Sequence, residues 1–312
     1  MAPSMPHLQS FCCVLALLAT LATTACTTTT MPLAEADPLL AEGEARVAAS
    51  DWEGALDALD EIDGDKCPMR LRDRRDLALA RARFAIGEYL DAYNGLKPFA
   101  DDYPLSELRP EATAMLWDVA EALRRRDSGF LFFWSDRTGA RTVLEHLVAR
   151  HPESPRIGDA LKILGDMAYD DGNFELAQQR YRDLLLDHPD EWTAYARFRY
   201  AMSIVASLEG PEYDQARMAE AERELRQYLA GKFENPTMNE VAEATTRSLV
   251  EWQLERELGI AAFYARIGNA AGELLHLERA ADARFAGAPR HAEATAQLAG
   301  ANARKAAGSG KP

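Results

Sequence analysis

Basic residues are scarce in this sequence. Lys and Arg together number 35 against 50 Asp and Glu, a formal charge of −15. So acidic a chain is poorly suited to neutralising phosphates. That argues against nucleic-acid binding and against docking on anionic lipid through a basic face. No Lys or Arg precedes residue 46, and residues 1–25 hold no Asp or Glu either. Cysteine is equally sparse, with four in all and three of them within the first 26 residues. If those three leave or are modified, Cys67 has no internal disulfide partner. The apolar run at 11–22, FCCVLALLATLA, is short for a bilayer span. Alternating Val, Ile or Thr patterns that would signal strands are missing. His146, His151, His188, His276 and His291 form no pair at metal-ligand spacing with a carboxylate or cysteine. Gly308-Ser309-Gly310-Lys311 mimics the end of a phosphate-binding loop, but no helix follows to meet a phosphate. No nucleophile–base arrangement stands out, so the chain reads as a non-enzyme without metal or cofactor.

The N-terminus has the design of an address. The apolar run suits the hydrophobic core of an export signal, and Thr23-Thr24-Ala25-Cys26 follows it. This resembles a bacterial lipoprotein signal. The resemblance implies a signal peptide over 1–25 and a covalent lipid on Cys26, which becomes the mature N-terminus. Ordinary secretion with cleavage nearby is the alternative. Thr27 lacks the Asp that marks inner-membrane retention, which favours the outer membrane. Residues 26–37, polar and Pro-containing, read as a flexible tether.

From residue 38 the pattern is helical nearly throughout, rich in Ala, Leu, Glu and Arg. The spacing predicts helices near 38–49, 51–62, 70–86, 88–101, 108–125, 139–150, 155–170, 174–187, 191–208, 214–230, 237–266, 270–285 and 289–304. The clearest internal repeat runs from Pro155 to Pro189. Gly165 and Ala177 let two helices cross closely, Gly172 begins the turn, and Phe174 and Tyr181 fill the gap to the next pair. Pro189 ends the second helix. This resembles the tetratricopeptide repeat (TPR), a helix–turn–helix unit of about 34 residues. Gly87, Tyr89, Ala92, Leu96, Phe99 and Pro104 repeat the frame. Ala140, Leu144, Leu147 and Pro152 repeat its second half, and Trp52, Ala55, Leu59 and Ile62 form a looser copy. The expected fold is all-α, a right-handed α-solenoid of about six TPR-like hairpins. Residues 38–136 form N-terminal repeats, 137–305 a C-terminal repeat region and 306–312 a disordered tail. In the long helix, Leu249, Trp252, Ile260 and Phe263 are expected to line one face. The apolar stretch 128–134, SGFLFFW, reads either as a partner-facing patch or as a loop capping a gap in the solenoid.

Residues 138–300 resemble the BamD family, outer-membrane lipoproteins of the β-barrel assembly machinery. The resemblance rests on Gly172-Asn173-Phe174-Glu175-Leu176-Ala177 with His188-Pro189, on Tyr213-Asp214-Gln215, and on a signature through Leu254, Glu257, Ile260, Ala261, Phe263, Tyr264 and Gly268. It implies an outer-membrane, lipid-anchored protein facing the periplasm. The implied partners are a BamA-like barrel-assembly protein and nascent outer-membrane proteins, with Arg279 and Arg284 as candidate contacts. A periplasmic TPR adaptor for cell-envelope or cell-wall synthesis is the competing reading, and the Leu254–Gly268 signature separates the two.

Overall fold

A computed structural model describes residues 30–126, 136–210 and 214–309. Every regular element in them is helical. Two compact units divide between Ala122 and Leu123, within one helix.

The first unit begins with α1 (Leu33–Ala48), α2 (Trp52–Asp60) and α3 (Met69–Ala85), which pack on one another in all three pairings. Helix α1 starts five residues earlier than the sequence suggests. Ala36 and Leu40 lie four apart on one face and are fully buried, so residues 33–37 join the core instead of the tether. Pro38 sits inside this helix. The segment expected as one helix over 88–101 is two, α4 (Tyr89–Leu96) and α5 (Phe99–Asp102). Pro98 stands between them and has no N–H to continue the ladder. Helix α6 (Arg109–Arg126) follows.

The second unit contains α7 (Asp136–Arg150), α8 (Ile157–Asp170), α9 (Phe174–Asp187) and α10 (Pro189–Ala206). It continues through α11 (Gln215–Ala230), α12 (Pro236–Arg266) and α13 (Ala270–Ala280). A 3-10 turn at Ala283–Phe285 precedes α14 (His291–Ser309). Each helix packs on its sequence neighbours, and α10 also reaches back to α8. That pattern is a series of helical hairpins, each stacked on the next. Pro189 opens α10 as its first residue, and α9 has already ended at Asp187. Its missing N–H is one the helix start leaves unpaired anyway. The last helix runs to Ser309, so the segment from 306 continues it.

A single turn recurs at the head of four hairpins. Gly87, Gly172 and Gly268 take φ of +88°, +74° and +74°, and Ser50 takes φ of +60° at the matching place. In each case the next residue's N–H reaches five back: Asp51 to Arg46, Glu88 to Arg83, Asn173 to Ala168 and Asn269 to Tyr264, all at 2.9 Å. This is the Schellman closure of one helix. The same residue then caps the next helix. The side chains of Asp51, Asn173 and Asn269 accept from the N–H three positions on, whereas Glu88 makes no such bond. Matching triplets recur along the chain, and Ala55-Leu59-Ile62, Ala92-Leu96-Phe99, Ala140-Leu144-Leu147 and Ala177-Tyr181-Leu184 are all buried; Ile62 lies just past the end of α2, and Phe99 opens α5.

Candidate functional site

The repeat core is tightest where α8 crosses α9 at Gly165. A Cβ on Gly165 would lie 2.7 Å from the Tyr181 ring, so only glycine lets α8 approach α9 there. Ala177 and Tyr181 are fully buried. Phe174 is half-buried and sits edge-on to Tyr169 at 5.4 Å, covering the hairpin's end and not the gap between pairs.

Around Tyr181 the structure assembles a polar hub that the sequence did not reveal. Asp166 on α8 accepts from Tyr181 Oη (2.6 Å, α9), Tyr195 Oη (2.5 Å, α10) and Lys162 Nζ (2.8 Å). Arg199 on α10 adds an ion pair at 3.4 Å and lies over the Tyr169 ring at 4.2 Å. Burial alone would raise the Asp166 carboxyl. The bonds from Lys162, Tyr181 and Tyr195 outweigh it and hold the group below the ordinary carboxylate range. Burial, then the bond to Asp166, pushes the Tyr181 and Tyr195 phenols well above theirs. The signal was present as Lys162 and Asp166 four apart, but the three tyrosines come from three different helices. A shallow cleft beside the hub is lined by Arg124, Arg137, Lys162, Asp166 and Asp170. A second network ties α9 to α11, with Arg182 donating to Tyr200 Oη (2.6 Å) and Tyr200 to Glu220 (2.6 Å). Asp214 caps α11 through the N–H groups of Ala216 and Arg217, while Tyr213 lies outside the described residues.

The Leu254–Gly268 signature divides by face. Helix α12 serves two cores: Ala242 and Leu249 join the one built with α9–α11, and Leu254, Leu258 and Ala261 join the one built with α13 and α14. The expected stripe of Leu249, Trp252, Ile260 and Phe263 does not form. Leu249 is buried, Trp252 and Ile260 are half-buried, and Phe263 is 49% exposed. The buried row steps instead through Leu254, Glu257, Leu258 and Ala261, because α13 packs on that side. Glu257 is almost fully buried and meets His276 Nδ1 on α13 at 2.7 Å. Tyr264 stacks on that imidazole at 5.6 Å, and Gly272 leaves room for the Tyr264 ring. Gly268 makes the turn. Outside the hairpin, Ile267 and Leu275 are 58% and 46% exposed. Arg279 and Arg284 are exposed and line one cleft with Glu257 and Asp282. The Arg284 guanidinium lies over Phe285 at 4.3 Å. Cys26 and the stretch 128–134 lie outside the described residues.

The arrangement offers no nucleophile poised beside a base among the described residues. It offers exposed side chains on rigid hairpins. No family model matches the sequence, and no curated protein matches it. Among solved structures it is similar to the TPR2AB domain of yeast Sti1, seen in a pHSP90 complex, at 14% identity. The match covers 86% of this chain and 99% of that one with a TM-score of 0.20. The superposition is loose, and the assignment as an all-α array of TPR-like hairpins rests on the helix packing and the recurring turn.

Proposed function

We propose that the chain is a lipid-anchored, periplasm-facing scaffold of the outer-membrane protein assembly machinery that acts by binding other proteins. The observation that carries this reading is the split of the α12–α13 signature. Leu254, Leu258 and Ala261 build the hairpin, while Phe263 and Ile267, four apart on one face, and Leu275 stay exposed on the same hairpin. Large apolar side chains held in water on a rigid hairpin, with Arg279 and Arg284 following, are what a partner surface buries. A BamA-like protein is the partner that the resemblance implies, with nascent outer-membrane proteins as its cargo. Cys26 supplies the anchor and keeps the scaffold near its partner.

The test is co-purification from solubilised membranes. The wild-type protein should bring down the BamA-like protein, and a Phe263→Ala, Arg279→Glu variant should bring down at least tenfold less. Equal recovery by the variant removes this surface from the interaction. Depletion that leaves outer-membrane porin levels unchanged removes the assembly role. Recovery of cell-wall synthesis proteins instead would support the adaptor reading.

A further inference from the structure

The point where the chain enters the fold is fixed. The Met31 N–H donates to the Lys66 carbonyl at 2.8 Å. Met31 and Leu33 pack against the core formed by Ala36, Leu40, Leu59, Ile62 and Cys67. The entering segment is thereby pinned beside the turn between α2 and α3. Cys26 stands five residues before Met31. Five residues reach at most about 18 Å when fully extended. A lipid on Cys26 therefore cannot hold the bilayer far from this turn.

The turn itself has the chemistry of a contact. Met69, the first residue of α3, is 81% exposed. Arg70 beside it is exposed and has no carboxylate partner among the described residues. Arg72 gives its guanidinium to the carbonyls of Cys67 (2.8 Å) and Asp65 (3.2 Å). Lys66 pairs with Asp63 at 2.9 Å. Across 63–72 the charges nearly cancel, Asp63 and Asp65 against Lys66, Arg70 and Arg72, in a chain of net charge −15. This stretch neither needs an anionic surface nor repels a phospholipid one.

We propose that the α2–α3 turn, led by Met69 and Arg70, is the face of the first unit held against the phospholipid bilayer. The proposal rests on the lipid-anchor reading of Cys26. Met69 is unbranched and apolar enough to sit among headgroups, and Arg70 carries donors for their phosphate oxygens. Helix α3 has 17 residues, so its far end, at Gly87–Glu88, stands about 25 Å away along its axis.

The experiment uses the lipidated full chain in phosphatidylcholine vesicles containing lipid with a nitroxide-labelled headgroup. Single Met69→Cys and Glu88→Cys variants each carry a fluorophore. Cys67 is fully buried and leaves the introduced thiol as the reactive one. The expected result is quenching several-fold stronger at position 69 than at 88. Equal quenching, or stronger quenching at 88, in protein that still floats with the vesicles overturns the proposal and leaves the anchor intact. If wild-type protein floats no better than Cys26→Ser, the anchor reading itself fails and takes the proposal with it.

Discussion

Gly165 shows how much one missing Cβ decides. The Tyr181 ring occupies the space a methyl group would take, and the ring cannot swing away because its hydroxyl is fixed on Asp166. Gly165→Ala gains helix propensity of up to about 1 kcal/mol, but overpacking costs about 1–3 kcal/mol. The net expectation is destabilisation by up to about 2 kcal/mol, read as a lower urea midpoint at unchanged slope. The opposite case is Ser50, which holds φ of +60° where three sister turns use glycine. Ser50→Gly relieves that strain at the cost of a looser unfolded chain. It should raise stability by about 0.5 kcal/mol in the same assay. An unchanged or lower midpoint would show that Ser50 is not strained there.

At the level of helices, the Asp166 hub fastens α8, α9 and α10 through one carboxylate. Asp166→Asn keeps the shape but removes the charge that Lys162 and Arg199 face; with its Oδ1 kept toward both tyrosine hydroxyls, its amide NH2 replaces the oxygen that accepts from Lys162. The expected loss is about 2 kcal/mol, in the range for a hydrogen bond to a charged group. Tyr195→Phe, which deletes one donor, should lose less, and a double-mutant cycle between the two should show coupling. Helix positions themselves are legible because Ala, Leu and aromatic residues recur at helical spacing and turn residues punctuate them: the pattern predicts a helix over 174–187, and α9 spans Phe174–Asp187. Two kinds of feature were not legible. Breaks inside a continuous pattern, such as Pro98, are decided by one absent N–H. The inward face of α12 is decided by which helix packs on it, and a sequence of 31 helical residues offers more than one apolar stripe. The hub and the Glu257–His276 pair escaped for the same reason, since their members meet only after hairpins stack.

For the molecule as a whole, these buried phenols give a prediction about pH that its acidity alone would not. The charge of −15 grows more negative as pH rises, so self-repulsion already weakens the compact state in alkali. Tyr181 and Tyr195, with Tyr103 in the first unit, add a proton-linked term of the same sign. Each is raised by burial first and then by a bond to a carboxylate, Asp166 for the first two and Asp76 for Tyr103. Below about pH 10, the ordinary tyrosine value, both folded and unfolded chains keep these protons and the stabilisation is fully present. Above it the unfolded chain releases protons that the folded chain retains, so unfolding is favoured more with each rise in pH. Asp166 works in the opposite window: its folded value is depressed, so its contribution is present above about pH 4 and is lost as pH falls below that. Melting temperature should therefore hold through neutrality and fall steeply above about pH 10. A Tyr181→Phe, Tyr195→Phe variant should begin lower but fall less steeply over that alkaline range, because two of the proton-releasing groups are gone. High salt should lessen the part due to self-repulsion in both proteins and leave the difference between their slopes. If the two slopes coincide at high salt, the tyrosines do not contribute and the alkaline loss belongs to net charge alone.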